Sequence, residues 1–203
     1  MWPNEVIGEI RRRGIATIAG NHDLKVLNLN TTPESLSEQG KKYAYHIIDE
    51  GGRDYLKTLP AHIKLEFQLG NSKLNVVLAH GSTRKVDEYI LVDTDEQYVI
   101  EMMDEAGADI LFVGHSHKPY HRIINNGGLQ KHVINTGSVG KPKDGDPRGC
   151  YVILTLEENS SVKESVSIKV EFRRISYDVE KAATAIENSL LPSEFADMLR
   201  DAF

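Results

Sequence analysis

The chain has almost no cysteine and no long apolar run. Its single cysteine, Cys150, cannot form a disulfide within the chain. No stretch of 18 apolar residues is available to cross a bilayer, and no lipidation motif is present. These absences predict a soluble, cytoplasmic protein without a membrane partner.

Positive charge is also scarce. Lys and Arg number 24 against 30 Asp and Glu, which gives a formal net charge of −6. Nucleic-acid binding needs clustered Lys and Arg to neutralise phosphates. The one compact basic run, Arg11-Arg12-Arg13, stands where a helix is predicted to end, and cations favour that end of a helix. A nucleic-acid partner is therefore not expected.

Length and hydropathy predict one α/β domain. With 203 residues, 40% of them apolar, the chain can bury one good core, so we assign residues 1–203 to a single domain. Helical and strand patterns alternate along it, which favours two mixed sheets flanked by helices. The predicted strands cover 15–19, 65–69, 74–79, 109–114, 120–124, 130–135, 151–156 and 165–176. The predicted helices cover 4–14, 94–107, 179–188 and 193–203, and two further helices between 32 and 60 are joined at Gly51-Gly52.

The sequence Gly-His-Ser-His at 114–117 follows directly on the apolar run 110–113. Functional groups of α/β proteins gather just beyond strand ends, and imidazole is the commonest metal ligand. A lone histidine is more often structural than functional. His115 and His117 together at one strand end make a structural and a metal-binding role about equally probable.

Two further apolar runs end in polar groups of the same kind. The run 15–19 leads into Gly-Asn-His-Asp at 20–23, and the run 75–79 leads into His-Gly at 80–81. Amide oxygens and imidazoles can both bind metal ions. Three strand ends that carry such groups predict one shared site.

These blocks resemble the calcineurin-like metallophosphoesterases, whose ordered signature is D-x-H, G-D, G-N-H-D/E, H-G and G-H-x-H. The last three blocks are present in order. The resemblance continues through 134–140 and 144–148, so it covers most of the chain, and it is similar to the small prokaryotic phosphodiesterase-like branch. It implies a four-layer αββα sandwich and metal-dependent hydrolysis of phosphodiesters or small phosphomonoesters.

The resemblance also implies the metal ligands. Asn21, His80 and His115 match ligands of one ion, and His117 matches a ligand of the other. The implied cofactors are two divalent transition-metal ions per complete site, drawn from Mn, Fe, Ni and Zn, which suit imidazole donors. Taken alone, Asn21 after Gly20 is more typical of a turn, but within Gly-Asn-His-Asp at a strand end the metal-binding role is favoured.

Catalytic and substrate roles are implied for three more residues. His22 matches the family's leaving-group acid or phosphate contact, and Asp23 matches the carboxylate that orients it; a carboxylate behind an imidazole also fixes the tautomer. Arg148 could contact the phosphate of a small phosphoester substrate. The remaining histidines lack a strand-end position and are predicted to be surface or packing residues: His46, His62, His121 and His132.

The first two blocks of the signature are absent from the chain. No D-x-H or G-D precedes Gly20, and the one Gly-Asp pair, Gly145-Asp146, lies downstream of 114–117. The family carries these blocks on an N-terminal βαβ unit, so we expect that unit to be missing and the uncovered sheet to be shielded by a second copy or by rearrangement. Without the unit's two aspartates and one histidine, metal occupancy and turnover should be impaired.

A different class of function stays open at this point. The retromer subunit of this fold is a noncatalytic protein-interaction module. A module of that kind has no need for the six site residues at 21–23, 80, 115 and 117, so the enzyme is favoured. Metal analysis of the purified protein separates the two alternatives.

Overall fold

The structure, a computed structural model, describes residues 1–27, 43–164 and 167–203. The predicted helical segment 32–42 and the start of the predicted strand at 165–166 lie outside these ranges. In chain order the elements are α1 (Pro3–Arg13), α2 (Asn21–Leu27), α3 (Tyr43–Ile47), α4 (Glu50–Lys57), β1 (His62–Leu69), β2 (Ser72–Ala79), α5 (Glu96–Ala106), β3 (Ile110–Val113), β4 (Tyr120–Asn126), β5 (Leu129–Asn135), β6 (Gly149–Leu156), β7 (Ile168–Ile175), α6 (Val179–Glu187) and α7 (Glu194–Asp201).

A five-stranded mixed sheet has the order β1-β2-β3-β5-β4. Its three central strands run parallel, and its two outer strands are the antiparallel arms of hairpins. Parallel strands end at the same edge of a sheet. The residues that follow β2, β3 and β5 therefore come together at one edge.

The two faces of this sheet are covered differently. Alternation along the strands directs Val77, Leu111 and Val133 to a core completed by Met102 and Met103 of α5. The opposite face packs against a second, two-stranded antiparallel sheet formed by β6 and β7. A mixed sheet, a second sheet and flanking helices confirm the predicted mixed α/β architecture.

The β4–β5 hairpin follows its turn chemistry. Gly127 and Gly128 connect the strands with φ angles of 60° and 86°. A type I′ hairpin loop of two residues, whose twist matches that of the flanking strands, requires a positive φ at both residues. Glycine adopts such angles without strain. The hairpin predicted from this sequence is confirmed, and it fixes β5 beside β3.

The strand predicted over 15–19 is wrong. Ile15 is exposed, and no ladder partner pairs with this segment in the described part of the chain. Its last residue is tethered instead by a single backbone bond from Ala19 N to Pro60 O, 2.9 Å long. Apolar composition alone does not make a strand, because the backbone donors and acceptors also need a neighbouring strand. The segment nevertheless delivers Gly20 to the sheet edge.

The helix join predicted at Gly51-Gly52 is also misplaced. Both glycines lie in the first turn of α4, and the break falls one turn earlier, between α3 and Glu50. Asp49 caps α4, because its carboxylate accepts a 2.6 Å hydrogen bond from Gly52 N. Side-chain capping therefore decides the boundary here.

Apolar side chains remain at the surface of the second sheet. Tyr151, Ile153 and Ile175 alternate on its outer face and are partly exposed. Coverage of an open apolar surface by a second copy of the chain stays a prediction. None of the helices described is long and apolar enough to span a bilayer.

Candidate functional site

Three loops meet at the carboxyl edge of the five-stranded sheet and line a cleft of about 960 Å³. One follows β2, one follows β3, and the third is the turn that enters α2. The cleft brings together all six of the residues predicted at the strand ends: Asn21, His22, Asp23, His80, His115 and His117.

Two potential metal donors lie within contact distance of His80 Nε2, which is itself a potential donor. His80 Nε2 is 3.2 Å from Asn21 Oδ1 and 3.3 Å from His115 Nδ1. Ligands bound at roughly 2.0–2.2 Å to one transition-metal ion are separated by about 3.0–3.5 Å in tetrahedral or octahedral geometry. The donor set and its spacing therefore fit one such ion.

His117 occupies the same cleft with a different partner. Its Nδ1 lies 2.6 Å from the backbone oxygen of Lys141. An imidazole that donates one N–H to a carbonyl keeps its other nitrogen as an acceptor, which is the usual arrangement of a metal-binding histidine. In the ranges that the structure describes, no three His, Cys, Asp or Glu side chains are grouped to hold a metal ion.

The loop that carries His115 and His117 has an unusual backbone. Both residues are left-handed, with φ angles of 60° and 62°, a conformation that costs a non-glycine residue about 1–3 kcal/mol. Fully buried Asn135 holds the loop from behind: its Nδ2 donates to Gly114 O at 2.7 Å and to Ser116 Oγ at 3.0 Å. The strained histidine positions are thus fixed by a buried amide at the end of β5.

Gly81 allows the loop after β2 to close tightly behind His80. A Cβ at position 81 would lie 2.5 Å from Val86 O and 2.8 Å from the carbonyl oxygens of Lys85 and Glu88. Real side chains do not approach backbone this closely, so only glycine fits. The turn directs Asp87 and the residues after it back to the cleft.

The environment of the cleft lowers the pKa of its two neighbouring imidazoles, His80 and His115. Burial, followed by the nearby His115, His117 and His22, lowers the pKa of His80 to about 4. Burial also lowers the pKa of His115, against an opposing effect of Asp87. Neutral imidazole is the form that binds metal ions, so at neutral pH these rings need lose no proton to act as ligands.

His22 and Asp23 have separate hydrogen-bond partners. His22 Nδ1 lies 2.6 Å from the hydroxyl of Tyr45, and Asp23 Oδ2 accepts a 2.7 Å bond from Gly20 N. Burial raises the pKa of Asp23, while the Gly20 bond and the nearby His22 lower it. Tyr45 of α3 is thus placed to orient His22, and the predicted role of Asp23 as its orienting group stays a prediction.

Arg148 is not brought to the cleft. Its guanidinium is engaged by Asp146, with Nη2 2.6 Å from Oδ2 and Nε 3.0 Å from Oδ1. The predicted substrate contact of Arg148 therefore has no support from its position. Among the other histidines, His62 is exposed, whereas His121 and His132 form a pair inside the fold.

Several cleft residues escaped the sequence analysis. Lys25 and Lys143 line the cleft, and their charges lower the pKa of His115 after the effects of burial and of Asp87. The Tyr89 ring lies 4.2 Å from the His115 ring. These side chains come from loops and helix surfaces, where hydropathy carries no signal for a site.

Comparison with known proteins agrees with the fold and shows the family. The sequence profile of the calcineurin-like phosphoesterase superfamily domain matches residues 3–159. A metallophosphoesterase from Sphaerobacter thermophilus has a similar structure, with a TM-score of 0.76 and 22% identity over 99% of this chain and 82% of its own. A hypothetical protein from Pyrococcus horikoshii has a TM-score of 0.69 and 21% identity over 98% of this chain and 79% of its own.

A sequence relative extends the comparison. An uncharacterized protein from Methanocaldococcus jannaschii is 29% identical over 216 residues, which is 97% of this chain and 79% of that protein. The profile match covers most of the chain and contains all six cleft residues predicted from the sequence. The chain therefore belongs to the calcineurin-like phosphoesterase superfamily.

Proposed function

We propose that this protein hydrolyses phosphodiesters or small phosphomonoesters with divalent transition-metal ions held at the strand-end cleft. The observation that carries the proposal is the spacing of His80 Nε2 from Asn21 Oδ1 and from His115 Nδ1, at 3.2 and 3.3 Å. Family membership supports metallophosphoesterase function in general. The donor set adds the residues that would perform it.

Asn21, His80 and His115 would hold one ion, and His117 would contribute to a second. Mn, Fe, Ni and Zn all suit a set of imidazoles with one amide oxygen. When bound, such ions stabilise negative charge on the phosphoryl oxygens and activate water. The chain's own residues then have to bind the phosphate and protonate the leaving group.

Positive charge in the cleft suits a phosphate. Lys25 and Lys143 both line it, although the whole chain carries a net charge of −6. In the described ranges 1–27, 43–164 and 167–203, neither lysine is paired with a carboxylate. Asp23 and Asp87 line the cleft as well, so these two lysines act as local contacts for the phosphate of an anionic substrate.

His22 is placed to serve the leaving group. When the Tyr45 hydroxyl donates to Nδ1, the proton of the neutral ring lies on Nε2. Protonation of Nδ1 as well gives the imidazolium, which hydrogen-bonds the Tyr45 oxygen through Nδ1 and can pass its Nε2 proton to the ester oxygen as the bond to phosphorus breaks, which is general acid catalysis. We therefore assign His22 as the acid and Tyr45 as the residue that sets its tautomer.

The charge of the donor set limits the activity. Asn21, His80 and His115 bring no negative charge to a dication, and the described residues offer no group of three His, Cys, Asp or Glu ligands. A cation without charge compensation is held less firmly than one bound by carboxylates. We therefore propose partial metal occupancy and slow turnover.

Hydrolysis of a bis-aryl phosphate with added Mn²⁺ tests the proposal, with bound metal measured on the same samples. His115→Ala should abolish both turnover and metal binding. His62→Ala removes an exposed histidine outside the cleft and is the matched control, which should leave both unchanged. Turnover that survives His115→Ala would contradict the assignment of this site.

A further inference from the structure

Two apolar chambers adjoin the cleft. One of about 570 Å³, which we call the α1 chamber, is bordered by α1, α2 and α3, and a second of about 650 Å³ is bordered by α6 and α7. Phe195 of α7 lines the cleft and both chambers. Each chamber therefore shares part of its wall with the cleft, so a group bound in the cleft has apolar surface next to it.

The α1 chamber joins the cleft at its reactive side. His22 and Asp23 lie in the walls of both spaces. His22 is also the residue to which we assign protonation of the leaving oxygen. The alcohol portion attached to that oxygen is then the part of the substrate that faces the α1 chamber.

The walls of the α1 chamber are mainly apolar. Val26, Ile48 and Leu56 are buried in one packed cluster, and Val6 and Ile7 of α1 complete that side. A hydroxyl-rich group would give up its hydrogen bonds to water here with few partners in return, whereas an apolar group gains from leaving water.

We propose, resting on the function proposed above, that the α1 chamber receives the apolar alcohol portion, aryl or alkyl, of the phosphoester substrate. The oxygen of water forms a bond to phosphorus, the bond from phosphorus to the alcohol oxygen breaks, the protonated ring of His22 gives its Nε2 proton to that oxygen, and the proton released by the water restores His22. The products are the remaining phosphate and a free apolar alcohol. The protein thus selects phosphoesters of apolar alcohols over those of sugars or nucleosides.

The chain contains a built-in reporter for this chamber. Trp2 is its single tryptophan, and it lines both apolar chambers. Alkylphosphonates, which are not hydrolysed, can therefore be titrated against Trp2 emission. We expect butyl-, hexyl- and octylphosphonate to bind about threefold to fourfold more tightly per buried methylene. Inorganic phosphate and 6-hydroxyhexylphosphonate should change the emission much less than hexylphosphonate.

Two matched variants locate the binding. Val6→Gln places an amide on the chamber wall, and Val92→Gln makes the same change at a residue of similar exposure, 56% against 58%, that lines neither chamber nor cleft. Both sites are open enough for the chain to fold. Val6→Gln should weaken octylphosphonate binding at least threefold, and Val92→Gln should leave it unchanged.

The outcomes separate this inference from the proposed hydrolysis. Chain-length dependence that is weakened by Val6→Gln supports the chamber, and it does so even in a protein without turnover, in which case only the assignment of hydrolysis fails. Equal affinity for all phosphonates overturns the inference even if phosphoesters are hydrolysed. Equal effects of Val6→Gln and Val92→Gln overturn it as well.

Discussion

Two pairs of histidine rings lie within hydrogen-bonding distance in this fold, and their surroundings differ. His80 and His115 are 3.3 Å apart at the sheet edge and open on the cleft. His121 and His132 are 3.0 Å apart on the sheet face that β6 and β7 cover. His132 is fully buried.

The comparison shows that access, more than proximity, separates a candidate ligand from a packing residue. Within the described part of the chain, His132 Nε2 is buried and has no hydrogen-bond partner. An ion could reach it only by opening the sandwich. The cleft pair has the same spacing, but an amide oxygen stands beside it and the space in front of it is open.

Removal of one ring from each pair gives the largest expected difference. His80→Ala should lower the affinity for Mn²⁺ or Zn²⁺ at least about 100-fold, since even the outer partners of metal ligands are worth about 10–100-fold. His121→Ala should leave the affinity unchanged. Isothermal titration calorimetry at neutral pH measures both, and equal losses would end the distinction between the pairs.

Reducing the space behind His80 should affect the His80–His115 pair alone. Gly81→Ala forces the loop behind His80 to move, because three carbonyl oxygens lie only 2.5–2.8 Å from the position of the new Cβ. We expect a loss of about 1–3 kcal/mol in the free energy of unfolding, together with weaker metal binding. Gly8→Ala in α1 has open space and is the control; it should stabilise the chain slightly. A Gly81→Ala protein with unchanged stability would contradict this account.

The buried pair, His121 and His132, should make the folding stability depend on pH. Burial, and then His121, lowers the pKa of His132 from 6.5 to about 4 in the folded state. The unfolded chain takes up this proton first, so stability is full above pH 6.5 and falls as the pH drops toward 4, by about 1–3 kcal/mol for this residue. His132→Gln should make the measured decline shallower. His62→Gln, at an exposed position, should not alter the decline in stability. A decline that neither substitution alters would exclude His132 as its source.

The smallest expected difference between the two histidine pairs comes from backbone conformation. His115 has a φ of 60°, so His115→Gly should be more stable than His115→Ala by about 1 kcal/mol. His132 lies within β5, where glycine weakens a strand, so the order of the same two substitutions should reverse. Thermal unfolding of the four variants measures both differences. The same order at both positions would mean that the loop does not hold His115 in the strained region.

Much of the candidate site could be predicted because apolar runs mark strand ends. The runs before His80 and His115 became β2 and β3, and parallel strands bring their ends to one edge. The run before Asn21 carried the same composition but formed no strand, since pairing depends on neighbours that composition does not encode. It reached the cleft through a tether to Pro60.

Other contributions could not be predicted from local patterns. Tyr45 meets His22 from a short helix 23 residues away, and Asn135 supports the histidine loop from a strand 20 residues downstream of His115. Such contacts depend on tertiary packing. For Arg148 the sequence did not indicate which partner the guanidinium would contact, a substrate phosphate or a neighbouring carboxylate. In the structure the guanidinium contacts the carboxylate of Asp146.

The two hydrogen bonds that Asn135 donates to the loop of His115 and His117 affect which metal ions the cleft can accept. A loop fixed by two hydrogen bonds from a fully buried amide cannot widen readily to suit a larger ion. Ca²⁺ takes six to eight oxygen ligands at about 2.3–2.6 Å, and it has little affinity for imidazole. The histidine loop therefore predicts that Ca²⁺ binds in the cleft more weakly than the smaller transition-metal ions.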